Sequence, residues 1–225
     1  MDMTKKLMIM LLTMLAMTAC NSEKDEPDAQ EHEWVDLGLP SGTLWATCNV
    51  GASTPEEYGD YFAWGETVPK KVYNWDTYKW CKGSESTLTK YCYATDFGVV
   101  DKRDELLPED DAAYVNWGHL WRMPTDEQQL ELIEKCSWTW TTRNSVNGRL
   151  ATGPNGNSIF FPAAGDCWRE LLFYDGSFGC YWSRTLVPYN SNDAFYLLFN
   201  SVRMERSNLL RYGGLPVRAV RVSQD

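Results

Sequence analysis

Residues 116–125 read Asn-Trp-Gly-His-Leu-Trp-Arg-Met-Pro-Thr, and the rest of the chain is organised around the helix they launch. Thr125 suits the cap of that helix, and Gln128 stands three residues on, the spacing of a capping box. Pro124 holds the entering chain extended, while Asp126 and Glu127 put negative charge where the helix dipole favours it. Leu130, Ile133 and Cys136 then recur at helical spacing with Leu132 beside them. That pattern predicts one amphipathic helix buried along that stripe. The other strong signals belong to strands and turns.

Working outward, residues 34–51 read as two short strands around Pro40-Ser41-Gly42, and the glycine-bounded 59–67 as another. Residues 68–111 lack periodicity and predict loops lying on the domain, with a hairpin between Cys81 and Cys92. Asp110 and Asp111 suit either a cap for a short helix through Ala112 and Ala113 or a structural calcium, capping being the commoner use. Beyond the helix, 138–142 alternates strictly as a strand, and 149–152 with 158–162 form a hairpin around Gly153-Pro154-Asn155-Gly156-Asn157. A loop follows over 166–179, then strands over 180–185, 194–201 and 215–222. Residues 216–222 alternate apolar and basic side chains, as expected of a strand with one wet face.

The chain opens with a targeting segment, residues 1–19. Lys5 and Lys6 form a basic region, and the apolar run over 7–17 is too short to span a bilayer as a helix. The run ends in Met17-Thr18-Ala19-Cys20, which resembles a bacterial lipobox, with Met17 where leucine is usual and Cys20 as the lipid carrier. Residues 20–33 are polar, rich in acidic groups, and read as a disordered tether. An acidic run directly behind the lipidated cysteine resembles the export signal of Bacteroidetes lipoproteins flipped to the outer face. The expected location is the outer membrane, facing the exterior, with membrane contact through the lipid anchor only. One domain fills 34–225, long enough for a sizeable core. With 31 acidic against 21 basic residues, the net charge of −10 argues against nucleic acid and anionic lipid heads as partners.

Chemistry-bearing residues are sparse. His32 lies in the tether, so a nucleophile–histidine pair would need His119, whose setting before Leu120-Trp121 reads as packed or surface. There is no CxxC or HExxH spacing for zinc and no phosphate-cradling glycine loop. The carboxylates are numerous enough to supply a glycosidase pair, but their separation is not a sequence property. The chain reads as a non-enzyme without cofactor or metal. Six cysteines after Cys20, at 48, 81, 92, 136, 167 and 180, allow up to three disulfides in an exported protein. The nearest pairings are Cys167 with Cys180 and Cys81 with Cys92, leaving Cys48 with Cys136; the alternative for the last two is free, buried thiols.

Two segments combine rigid aromatics with short polar groups, the composition of glycan- or protein-recognition loops. They are 168–175 (Trp-Arg-Glu-Leu-Leu-Phe-Tyr-Asp) and 188–193 (Pro-Tyr-Asn-Ser-Asn-Asp). The candidate ligand-binding residues are Trp168, Arg169, Tyr174, Tyr189, Asn190, Asn192 and Asp193. The competing reading is that Trp168, Phe173 and Tyr174 plug the core beneath their own loop.

Several separated motifs carry a family resemblance. Residues 35–47 (Val-Asp-Leu-Gly-Leu-Pro-Ser-Gly-Thr-Leu-Trp-Ala-Thr), 59–66, 116–118 with 121–125, 156–165, Tyr181-Trp182-Ser183 and 216–221 together resemble the Fibrobacter succinogenes major paralogous domain family, abundant in Bacteroidetes lipoproteins. The likeness spans nearly all of 34–225. Departures are Gln128-Gln129 in place of an acidic residue and tryptophan, Ser183-Arg184-Thr185 in place of a serine run, and Ala219 where cysteine or proline is common. The resemblance implies an α+β, C-type-lectin-like domain: a small twisted antiparallel sheet, one or two helices, and long loops gathered at one end. Both aromatic segments would fall near that end. The sugar-binding calcium triplets Glu-Pro-Asn and Gln-Pro-Asp are absent. Relatives with this fold include sulfatase-modifying enzymes, which act through a late cysteine pair. The expected function is thus display of a non-catalytic domain that binds a glycan or surface protein. The alternatives are a subunit of a surface fibre, and a hydrolase or oxidoreductase.

Overall fold

Thr125 does cap the helix. In the computed structural model, which describes residues 32–221, the Thr125 hydroxyl accepts from the Gln128 N–H, and the Gln128 side chain accepts from the Thr125 N–H. The elements in chain order are β1 (Trp34–Asp36), β2 (Leu44–Ala46), α1 (Ala112–Trp117), β3 (Trp121–Arg122), α2 (Asp126–Lys135), β4 (Ser137–Arg143), β5 (Val146–Thr152) and β6 (Ser158–Pro162). There follow β7 (Asp166–Trp168), β8 (Leu171–Phe173), β9 (Gly179–Leu186), β10 (Asp193–Phe199), β11 (Met204–Leu210) and β12 (Val220–Arg221). The described residues thus combine two α-helices with small antiparallel sheets, ordered β1-β2-β12-β3, β11-β10-β9, β4-β5-β6 and β7-β8.

The buried face of α2 differs from the expected stripe. Asp126, Gln129 and Leu132 are buried, whereas Leu130, Ile133 and Cys136 are only half-buried. The reason is polar: the Gln129 amide donates to the carbonyls of Tyr181 (3.0 Å) and Trp182 (3.1 Å), fastening the helix to β9, and Asp126 pairs with Arg206 of β11 at 2.9 Å. A pattern of apolar residues cannot register a face held by an amide and a carboxylate.

β9 and β10 separate two cores. Trp182, Tyr196 and Leu198 join Trp64, Trp117, Trp121 and Val217 on one side. Tyr181, Leu197 and Phe199 join Trp45, Leu132, Ile159 and Phe161 on the other. A third cluster of Tyr73, Tyr78, Leu88 and Cys92 organises the irregular 68–111 stretch, so no hairpin forms between Cys81 and Cys92. Residues 59–67 form no regular strand. Phe62 makes one antiparallel bridge with Leu215 (2.9 and 3.1 Å), and Trp64 N–H donates to the Arg211 carbonyl.

Three further expectations are revised. Only Val220–Arg221 of 215–222 is a strand, and Leu215 to Val220 are all buried. Arg218, assigned to a wet face, is 1% exposed; it donates to Asn49 Oδ1 (2.8 Å) and the Phe160 carbonyl (3.0 Å) and lies over the Phe161 ring. Burial lowers its pKa to about 10. The 166–179 loop contains the β7–β8 ribbon. Unforeseen were β11 and the β4–β5 hairpin, whose turn residues Asn144 and Ser145 both have positive φ. Asp111 is the α1 cap, accepting from Ala113 and Tyr114 N–H, while buried Asp110 accepts from Tyr91 Oη (2.5 Å) and pairs with Lys90. His32, placed in the tether, stacks on Trp117 with centroids 3.8 Å apart. Residues 1–31, with Cys20 and most of the expected leader and tether, lie outside the described residues, as does the end of the last expected strand.

None of the three expected disulfides is present: Cys48, Cys81, Cys92, Cys136, Cys167 and Cys180 are all free. Three of the thiols have other partners, Cys81 donating to the Trp75 carbonyl (3.0 Å), Cys92 to the Ala94 carbonyl (3.2 Å), and Cys48 sharing a hydrogen bond with Thr47 Oγ1 (3.6 Å). Burial raises the Cys136 pKa to about 11, followed by the charge of Glu131. Thiol titration of denatured, unreduced residues 32–225 is therefore expected to count six reactive groups; four or fewer would reveal a bridge.

Candidate functional site

The β7–β8 ribbon begins at Gly165, whose φ of +64° turns the chain out of the core, and whose N–H donates to the Phe178 carbonyl at 2.7 Å. Asp166 pairs with Phe173, Cys167 with Leu172 and Trp168 with Leu171. Two backbone bridges pin the ribbon, one on its inner strand and one at its turn. Cys167 exchanges hydrogen bonds with Gly214 (2.7 and 3.0 Å), and Arg169 with Tyr73 (2.8 and 2.9 Å). Arg169, at positive φ, makes the turn. A two-stranded ribbon is weak alone, and here the clamps fix it.

The outer strand leaves the protein surface. Leu171 is 61% exposed and Tyr174 63%, with Leu172 and Phe173 also exposed between them. Four consecutive large apolar residues thus face water on a pinned ribbon, alternating between its two faces, which is more than scattered single exposure. Three grooves meet at this ribbon. One of 1050 Å³ runs between it and the 72–76 segment, lined by Tyr73, Trp75, Trp168, Arg169 and Tyr212. A second of 760 Å³ passes Asp60, Tyr61, Lys70 and Leu172. A third of 590 Å³ lies between the ribbon and the β9–β11 sheet. The Trp168 indole stands edge-on to Tyr212, centroids 5.1 Å apart, and belongs to the first and third.

No family model, curated protein or solved structure matches this chain.

The third groove differs in chemistry from the others. Phe173, Tyr174, Phe178 and Tyr196 supply its rings and Leu198 and Leu209 its aliphatic wall, with Asp166 and Cys180 also lining it. Burial raises the Asp166 pKa, partly opposed by a hydrogen bond from the Trp168 side chain. Burial likewise raises the Cys180 thiol, with the charge of Asp166 as the second cause. The Cys167 pKa rises to about 11 for the same two reasons in the same order. Among the described residues, no cluster of three or more His, Cys, Asp or Glu side chains has metal-binding geometry.

The candidate residues named from sequence separate into two groups. Trp168, Arg169 and Tyr174 are on or beside the ribbon and line its grooves. Tyr189, Asn190, Asn192 and Asp193 line none of these three. Tyr189 is 88% exposed at positive φ. Asn190 bonds its own turn, donating to Asp193 Oδ2 (3.0 Å) and accepting from Asn192 N–H (3.2 Å). Asp193 also accepts from Asn208 at 2.7 Å, and Asn192 is buried. These polar groups hold a turn together. Sequence reasoning missed Asp166, Tyr73, Trp75 and Tyr212 as groove residues, because they come from separate segments with no shared spacing. Leu171 and Leu172 did carry a signal: an apolar pair within a polar aromatic stretch.

Proposed function

We propose that this chain is a lipid-anchored envelope protein of the Fibrobacter succinogenes major paralogous domain family, and that its C-type-lectin-like domain binds a protein partner through the β7–β8 ribbon without catalysis. The lipobox-like Met17-Thr18-Ala19-Cys20 and the acidic run behind it support display outside the cell. The observation that carries the binding reading is the exposed run Leu171, Leu172, Phe173 and Tyr174 on a ribbon whose inner strand and turn are pinned by backbone hydrogen bonds. A sugar site sets hydrogen-bonding groups beside its ring faces, whereas this strand offers aliphatic and aromatic groups together, the apolar character of a buried interface core. Pre-fixing the ribbon lowers the entropy lost on docking. The raised thiol pKa values of Cys167 and Cys180 leave both protonated at neutral pH, which weighs against the oxidoreductase alternative.

The test places a photo-crosslinking residue at Tyr174 on intact cells, with an equally exposed control at Val68. A discrete protein adduct from Tyr174 alone, lost in a Leu171→Ser background, is the expected result. Equal labelling from both positions would sink the ribbon reading. A glycan-array signal that Trp168→Ala removes would transfer the site to a sugar. Leu171→Ser with Tyr174→Ser should leave the melting temperature within about 3 °C, since exposed substitutions change stability by roughly 0.5 kcal/mol each.

A further inference from the structure

We infer that the groove beneath the ribbon recognises an organic ammonium cation, a positive nitrogen carrying apolar substituents, held over the Asp166 carboxylate within a cage of aromatic rings; this rests on the reading of the ribbon as the ligand-contacting element. Asp166 is 7% exposed yet lines an open groove of 590 Å³. Among the described residues no Lys, Arg or His lies within ion-pair distance of it; the ten ion pairs all involve other carboxylates. The Trp168 side chain beside it is a neutral donor and supplies no counter-charge. A carboxylate withdrawn from water without a counter-charge is costly, and such groups elsewhere in this protein are answered: Asp126 by Arg206, Asp110 by Lys90, Asp111 by three backbone N–H groups. Among the buried carboxylates of the described residues Asp166 is the exception, and it lines the groove.

The walls fit the same occupant. Trp168, Phe173, Tyr174, Phe178 and Tyr196 line the groove, and Tyr174 and Phe178 meet edge to face with centroids 5.4 Å apart. Ring faces attract a positive charge through their quadrupoles, most strongly when the cation is desolvated, and a carboxylate in the same lining adds the charge complement. A hydrated metal ion would find one carboxylate where it needs several oxygens. An anion would meet Asp166 as a like charge. A bare hydrocarbon would fill the walls and leave the carboxylate unanswered. The alkylated ammonium satisfies both parts.

The full chain, kept in a neutral detergent because of its apolar leader, is titrated calorimetrically with choline and, separately, with its uncharged isostere 3,3-dimethylbutan-1-ol. A second pair is a capped glycine-lysine-glycine peptide and the same peptide with the lysine acetylated. The expected result is that at least one cation binds about tenfold or more tightly than its neutral counterpart, and that Asp166→Asn removes this preference. Preference for choline alone assigns a free quaternary ligand; preference for the lysine peptide assigns a cation presented by a polypeptide. Asp166→Asn keeps the hydrogen-bond acceptor for Trp168, and an unchanged circular dichroism spectrum checks its fold. Equal binding of cations and neutral isosteres, or no binding by any of the four, overturns the cation assignment. The crosslinking result at Tyr174 is independent of these titrations, so the ribbon reading survives or fails separately.

Discussion

Replacing Arg211 by methionine is expected to lower stability by about 4 kcal/mol, close to 10 °C in melting temperature for a domain this size. Arg211 is fully buried and has no carboxylate partner among the ion pairs of the described residues. Its guanidinium donates instead to the carbonyls of Tyr91 (2.8 Å), Ser191 (2.9 Å) and Lys90 (3.0 Å) and to Tyr78 Oη (2.8 Å). The faces of Trp64 and Tyr78 lie 5.2 Å from its central carbon. Methionine fills much of the volume but leaves three buried carbonyls without donors, and each orphaned group costs about 1–3 kcal/mol. Because one planar fork ties residues 90–91, 78 and 191 together, the third core cluster and the β9–β10 connection should loosen jointly. Lysine at 211 is expected to recover less than half of the loss, since its ammonium cannot span four divergent acceptors. Thermal unfolding followed by tryptophan fluorescence checks this; a loss below about 1 kcal/mol would show that the carbonyls find other donors.

Gly165→Ala should cost about 3 kcal/mol and, unlike the arginine change, should act on the ribbon first. At φ +64° an alanine is strained by itself, by about 1–2 kcal/mol. A β-carbon would also run into the Phe173 carbonyl oxygen and approach Asp175 N to 2.7 Å. Both obstacles are backbone, so no side-chain rotation relieves them, and the start of β7 must move away from the end of β8. The predicted signature is a fall in melting temperature together with loss of amide protection at Cys167 and Arg169, whose N–H groups bond Gly214 and Tyr73. Hydrogen exchange resolves the two. A fall in stability with ribbon protection intact would place the strain elsewhere. Gly176, also at positive φ but with open space around it, is the matched control, expected to show only the conformational part.

Much of the scaffold could be read from the chain because the relevant physics is local. The Thr125 capping box, the Asp111 cap, the alternation of 138–142 and the hairpin at 153–157 are all set by residues within a few positions of one another. What escaped involves distant partners. Leu130, Ile133 and Cys136 looked like the buried stripe, but Gln129 is the residue that meets β9, through carbonyls fifty positions away. Arg218 looked solvent-facing because its neighbours alternate, yet Asn49 and the Phe160 carbonyl await it inside. Near spacing suggested disulfides; the folded chain keeps every described cysteine apart as a thiol.

The same division runs through the site. Sequence alone determined that 168–175 is rich in rings and apolar groups, that residues 7–17 are an apolar run behind Lys5 and Lys6, and that the chain carries no CxxC or HExxH spacing. Tertiary structure alone decided that Leu171 to Tyr174 stand out on a ribbon, and that Asp166 lines one groove with Phe178 and Tyr196. It also decided that Asn190 and Asp193 bond to each other within their own turn and that Asp193 accepts from Asn208. Composition fixes what a segment can contact, since ring faces and carboxylates carry their chemistry wherever they lie. Whether such a group faces water, a groove or a core depends on long-range strand pairing and on which donors arrive from elsewhere in the chain, and no window of neighbouring residues contains that information.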